Sequence, residues 1–80
     1  MQRPIPLEDW VQATGMSGLQ QSKVIDALQE HEVEDIIGAG MLTQTDIKEE
    51  LGLKLGTRSA FIRAINGLRR NQPDLYGPEI

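Results

Sequence analysis

Apolar residues recur at helical spacing in five stretches of the chain, and no stretch shows the sustained alternation of a half-buried strand. Between these stretches stand glycine, proline and capping residues, which end one helix and begin the next. The pattern therefore predicts an all-α chain with five helices. They cover residues 6–14, 20–31, 33–37, 43–51 and about 56–70.

The fifth predicted helix has the clearest apolar stripe, made of Phe61, Ile62, Ile65 and Leu68. The fourth begins at Thr43, whose hydroxyl suits an N-cap, with Asp46 where a capping box carries Glu or Gln. The third is the shortest, because Gly38-Ala39-Gly40 is expected to break the chain after Ile37.

We expect these helices to pack as a compact orthogonal bundle over residues 7–70, with residues 1–6 as an N-terminal extension. Residues 71–80 contain two prolines and a glycine, so we expect a flexible tail from which Leu75 or Tyr76 could fold back. The expected core takes large apolar residues from every helix and from the loops. It consists of Leu7, Trp10, Val11, Leu19, Val24, Leu28, Val33, Ile36, Leu42, Ile47, Leu51, Leu53, Phe61, Ile62, Ile65 and Leu68.

Composition limits the function classes open to a chain of this size. Its 80 residues suffice for one domain. The absence of cysteine excludes disulfides and thiolate metal sites, and the single histidine, His31, excludes a histidine-rich metal site. No apolar run approaches membrane-spanning length, so we expect a soluble intracellular protein, cytoplasmic or nuclear.

Charge is distributed unevenly along the chain, whose net value is −4. Residues 26–50 hold eight acidic residues and one base, Lys48, whereas residues 54–70 hold five bases and no acid. One interpretation is a solvated helical surface with uneven charge, and the other is a pair of complementary binding surfaces. The overall negative charge disfavours a general role in coating nucleic acid.

Motifs from the first helix to the last occur in an order and spacing that resembles the sterile alpha motif (SAM) domain. The resemblance covers about residues 7–70, and residues 42–68 are its most specific part. There a leucine, a capping threonine, an acidic turn and a leucine–glycine pair precede Leu-Gly-x-Arg at the start of a long amphipathic helix. The matching positions are Trp10, Gly15, Leu19, Glu30-His31-Glu32-Val33, Leu42 to Leu53, Leu55-Gly56-Thr57-Arg58, Phe61 to Ile65, and Leu68.

The resemblance implies a five-helix bundle that binds protein partners through two different surfaces. The mid-loop surface runs from the end of the second helix through the fourth, and its candidates are Glu30, Glu32, Glu34, Asp35, Asp46, Glu49 and Glu50. The end-helix surface lies at the start of the fifth helix, and its candidates are Lys54, Leu55, Gly56, Thr57, Arg58 and Arg63. The chain departs from the family pattern at Gly38-Ala39-Gly40, where the third helix usually ends in leucines and one residue is inserted.

We therefore expect a signalling or scaffold module, excised from a longer chain, that associates head to tail with itself or with another SAM domain. We expect no enzymatic activity, catalytic residue, cofactor, metal or small-molecule substrate. Two alternatives stay open. One is a structural or autoinhibitory domain without a partner surface. The other is binding of an RNA hairpin through the basic fifth helix, by Lys54, Arg58, Arg63, Arg69 and Arg70.

Overall fold

The computed structural model describes residues 6–80, which form five α-helices and one π-helical turn. Among these residues no strand is formed, and an isolated antiparallel bridge joins Pro6 to Asp35. The all-α prediction is confirmed. The elements are α1 Leu7–Ala13, α2 Gly18–Glu30, α3 Ile36–Gly40, the π turn Asp46–Glu50, α4 Leu55–Asn71 and α5 Pro73–Tyr76.

The longest helix, α4, is the centre of the bundle. It packs against α2, α3, the π turn and α5, while α1 packs against α2. Phe61 and Ile65 of α4 are fully buried, and the Phe61 ring makes an edge-to-face contact with Trp10 of α1, with 6.1 Å between ring centroids. The predicted stripe of the fifth helix therefore forms the middle of the core.

The predicted core is buried or half-buried at every position except Leu19, where 71% of the residue is exposed. The prediction for Leu19 is wrong because α2 starts at Gly18, two residues earlier than expected, and its first turn faces solvent. A capping box fixes this start: the Gln20 N–H donates to Ser17 Oγ at 3.2 Å and the Ser17 N–H donates to Gln20 Oε1 at 3.2 Å. The core also contains four residues absent from the prediction: Met16, Ala27, Ala39 and Tyr76.

The third helix lies three residues further along the chain than predicted, because Gly38-Ala39-Gly40 belongs to α3 and does not break it. Asp35 begins the helix, since its Oδ1 accepts from the Gly38 N–H at 2.9 Å. Gly40 is required for packing: a Cβ at this position would overlap the Tyr76 ring. Tertiary packing thus outweighs the low helix propensity of the two glycines.

The predicted start of the fourth helix is confirmed, with Asp46 in the capping box in place of Glu or Gln. The Asp46 N–H donates to Thr43 Oγ1 at 3.2 Å, and the Thr43 N–H donates to Asp46 Oδ2 at 3.1 Å. The helix then widens, because the Leu51 N–H donates to the Asp46 carbonyl five residues earlier, at 3.3 Å.

Residues 73–80, expected to be a loose tail, lie against α3 and α4. Tyr76 of α5 is buried, as the sequence allowed, and its hydroxyl donates to the Ile36 carbonyl at 3.4 Å. Burial of the phenol, with a smaller contribution from the negative charge of Asp35, raises the pKa of Tyr76. The domain therefore has a sixth helical segment that the apolar periodicity does not predict.

Candidate functional site

The acidic candidates of the mid-loop surface lie at the end of α2, in the loop to α3, at the start of α3 and on the π turn. All are exposed except Asp46, which is half-buried. Two of the seven carboxylates serve the fold, because Asp35 caps α3 and Asp46 closes the capping box with Thr43. The remaining five are Glu30, Glu32, Glu34, Glu49 and Glu50.

His31 joins the two halves of the mid-loop surface. It is the C-cap of α2, and its Nε2 lies 2.7 Å from the carbonyl oxygen of Glu50, 19 residues away. Because a carbonyl only accepts, Nε2 carries the proton in this bond. The contact brings the end of α2 to the end of the π turn, so Glu30 and Glu32 lie in the same region as Glu49 and Glu50.

Glu32 has a backbone conformation that normally belongs to glycine. Its φ is +59°, in the left-handed region, directly after the C-cap of α2. The Val33 N–H donates to the Leu28 carbonyl at 2.8 Å and the Glu32 N–H to the Gln29 carbonyl at 3.0 Å, which is the Schellman pattern. A glutamate at this position carries a steric cost that glycine avoids. The carboxylate of Glu32 is therefore held on the mid-loop surface at the expense of stability.

Glu32→Gly is expected to raise the free energy of unfolding by about 1 kcal/mol, because it removes the left-handed strain. The same change removes one exposed carboxylate from the mid-loop surface. Urea denaturation measures the change in stability. Glu32→Gln is the matched control: it removes the charge but keeps a side chain in the left-handed conformation, so it should give no gain in stability. A loss of stability in Glu32→Gly would contradict this account of residue 32.

Glu8 adds a carboxylate that the sequence did not assign to this surface. A cleft of about 320 Å³ separates α1 from the loop between α2 and α3. The bridge between Pro6 and Asp35 brings the start of α1 to this loop, so nothing local in the sequence marks Glu8 as part of the surface. The cleft contains three carboxylates and no base, and its lining is Leu7, Glu8, Gln29, Glu32, Val33 and Glu34.

The end-helix surface is the start of α4, which has no side-chain cap. Lys54 is the N-cap residue and its side chain makes no capping bond. Leu55 is 70% exposed, and a Cβ added at Gly56 would meet nothing within 4 Å. The first N–H groups of the 17-residue helix, its positive dipole end and the Lys54 ammonium thus lie beside an exposed apolar side chain.

Arg58 lies on the side of α4 that faces the π turn. It is half-buried at a cleft of about 350 Å³, whose lining is Gln44, Thr45, Lys48, Arg58 and Ile62. Lys48, the one base within the acidic block, therefore lies beside Arg58 and adds to the positive surface. Arg63 is exposed and lies on a different groove, of about 680 Å³, between α4 and the connection from α1 to α2.

Two of the five bases in residues 54–70 are engaged within the fold. Arg69 is buried, with 8% of its surface exposed, and donates to three backbone carbonyls. Arg70 forms the one ion pair found among residues 6–80, with 2.7 Å between its Nη2 and Oε1 of Glu79. The bases of this block that remain are Lys54, Arg58 and Arg63; Lys48 shares a cleft with Arg58, whereas Arg63 lies on the other groove.

No helix within residues 6–80 has the length and apolar character needed to cross a bilayer. In the same part of the chain, His, Asp and Glu side chains do not gather in a group of three that could hold a metal ion. Comparisons with protein families, with curated proteins and with solved structures find no match for this chain.

Proposed function

We propose that this chain is a non-enzymatic protein-interaction module that associates head to tail. In this proposal the end-helix surface of one molecule binds the mid-loop surface of the next. The partner is a second copy of this chain or another domain with SAM-like surfaces, and the bundle itself is a SAM-like one. The module would serve in an intracellular scaffold or signalling assembly.

The observation that carries the proposal is the start of α4. An uncapped helix N-terminus, two cations and a leucine with 70% exposure occur together there. An acidic loop from a partner would meet the helix dipole, the N–H groups, Lys54 and Arg58 at once, while Leu55 supplies an apolar anchor. The open space around Gly56 permits close approach of the partner's backbone.

The acidic side supports the same proposal. His31 connects its two halves, and Glu8 extends it with a cleft whose lining contains three carboxylates and no base. Because the two surfaces differ, contact between identical chains is heterologous and produces an open filament or a ring. Each exposed ion pair contributes roughly 0–1 kcal/mol, so several of them with one apolar anchor suit micromolar affinity.

Binding of an RNA hairpin has less support than protein binding. Of the five basic candidates, Arg69 is buried and Arg70 pairs with Glu79, which leaves three for phosphate contact. The described surface offers no aromatic stack either, because Trp10 is half-buried against the core and Tyr76 is buried. The structural or autoinhibitory alternative does not account for the exposed Leu55 beside Lys54 and Arg58, which form no ion pair within residues 6–80.

The mass of the species in solution, measured as a function of protein concentration at two ionic strengths, tests the proposal. In about 50 mM salt we expect species well above the 8.9 kDa chain mass at micromolar concentration. In about 1 M salt, where the screening length falls to about 3 Å, we expect those species to shrink towards the monomer. Sedimentation velocity is the measurement. A monomer at every concentration and salt would contradict self-association, and tight binding of an RNA hairpin would favour the alternative.

A further inference from the structure

We propose that residues 72–80, together with Arg69, form a strap that holds α3 in place and thereby determines the shape of the mid-loop surface. This inference rests on the proposed function, since it assigns that surface a positioning device. The segment has no part in the end-helix surface. Arg69 and Tyr76 are accordingly positioning residues for one surface out of two.

The helix α3 needs such support because it is intrinsically weak. It has five residues, two of them glycine, and a helix of this length does not persist alone in water. Its only side-chain cap is Asp35, at the N-terminal end. The position of α3 must therefore come from what packs against it.

Arg69 supplies the support at the C-terminal end of α3. Its Nε donates to the Gly40 carbonyl at 3.1 Å and its Nη2 donates to the Leu42 carbonyl at 3.0 Å. Its Nη1 donates to the Pro78 carbonyl at 3.0 Å. One buried cation therefore satisfies carbonyls at the negative end of α3 and holds the tail with the same planar group.

Tyr76 supplies the second contact between the strap and α3. Its ring occupies the space that a side chain at residue 40 would take, and its hydroxyl reaches the Ile36 carbonyl. The tyrosine thus touches both ends of a five-residue helix. Removal of the ring would leave Gly40 without its packing partner, and α3 would lose the surface that orders it.

The end of the strap is fixed by three further contacts with α4. The Ile80 N–H donates to Asn66 Oδ1 at 2.7 Å, and Asn66 Nδ2 donates to the Ile80 carbonyl at 3.1 Å. Arg70 and Glu79 add an ion pair on the exposed side. All of these contacts lie in the last two turns of α4, about 16–23 Å along the helix axis from Leu55 at its start.

This separation makes the two surfaces unequal in their dependence on the strap. Asp35 lies directly before α3, and Ile37 and Met41 are exposed on one face of it at i, i+4 spacing. Disorder in α3 would therefore disturb the mid-loop surface. Lys54, Leu55 and Arg58 depend on the first turns of α4, which the strap does not touch.

The test places Tyr76→Ala in two reporter chains that each keep one surface. An Arg58→Glu chain presents only the mid-loop surface, and a Glu49→Lys chain presents only the end-helix surface. When Tyr76→Ala is placed in the Arg58→Glu chain, which supplies the mid-loop surface, we expect the affinity between the two reporter chains to fall about tenfold or more. In the Glu49→Lys chain it should change binding by less than about twofold. Leu75→Ala, an exposed neighbour on α5, is the matched control and should change neither.

Amide hydrogen exchange tests the strap independently of binding. If the reporters do not bind each other, that result contradicts the proposed function and leaves the test of the strap intact. We expect Tyr76→Ala to expose the Ala39 N–H, which donates to the Asp35 carbonyl, while the amides around Phe61 in α4 stay protected. Unchanged protection at Ala39 would overturn the strap. Equal loss of binding in both reporter backgrounds, or loss of protection throughout α4, would overturn it as well.

Discussion

Arg69→Ala is expected to lower the free energy of unfolding by about 3 kcal/mol, whereas Arg70→Ala should lower it by less than about 1 kcal/mol. The two arginines are adjacent in sequence and differ in environment. Arg69 is buried and its guanidinium serves three carbonyls, so its removal leaves buried acceptors without a partner. Arg70 is exposed, with 72% of its side chain accessible, and its ion pair with Glu79 is screened by solvent.

Urea denaturation followed by the fluorescence of Trp10, the single tryptophan, measures this difference. Arg69→Lys should fall between wild type and Arg69→Ala, because a lysine keeps the charge but cannot reach three carbonyls with one planar fork. Equal and small effects of Arg69→Ala and Arg70→Ala would show that the buried guanidinium does not hold the strap.

Arg69 was a candidate only for the RNA-binding alternative, and its burial removes it from that set. The charge count grouped Arg69 with the other bases of residues 54–70. However, Phe61, Ile65 and Arg69 recur at i, i+4 and i+8 and lie on the buried face of α4. The spacing therefore contained the information that Arg69 points inward. The charge count carried no such information, because it assigns every arginine to solvent.

Local chemistry predicted most helix starts and ends, and tertiary contacts decided the rest. Thr43 and Asp46 form the predicted cap from their own side chains. By contrast, α3 depends on Tyr76, which lies 36 residues after Gly40 in the sequence and beyond the last predicted helix. The low helix propensity of glycine is a local cost. It is outweighed by packing of a distant aromatic ring into the space that the absence of a side chain at Gly40 leaves.

The sequence predicts the existence of an acidic and a basic region, but it does not predict which individual residues belong to each surface. The division into an acidic and a basic block follows from the order of residues alone. Which carboxylates remain free depends on the fold, because Asp35 and Asp46 cap backbone groups while Glu8 arrives from another helix. The fold also places Lys48, which belongs to the acidic block in sequence, in the same cleft as Arg58.

Single charge reversals are expected to abolish self-association without unfolding the chain. Arg58→Glu places an acid in the first turn of α4, and Glu49→Lys places a base near the end of the π turn, so both suit the local helix dipole. Glu49 is preferred to Asp35 because Asp35 also caps α3. Lys23→Glu, an exposed charge reversal on α2 outside the residues of both surfaces, is the matched control and should still assemble.

An equimolar mixture of the Arg58→Glu and Glu49→Lys chains tests the central claim most directly. Each variant keeps one intact surface, so we expect each alone to be a monomer and the mixture to form one heterologous contact. Sedimentation equilibrium should then give the mass of two 8.9 kDa chains and nothing larger. A mixture that stays monomeric, or single variants that still assemble, would contradict head-to-tail association through these two surfaces.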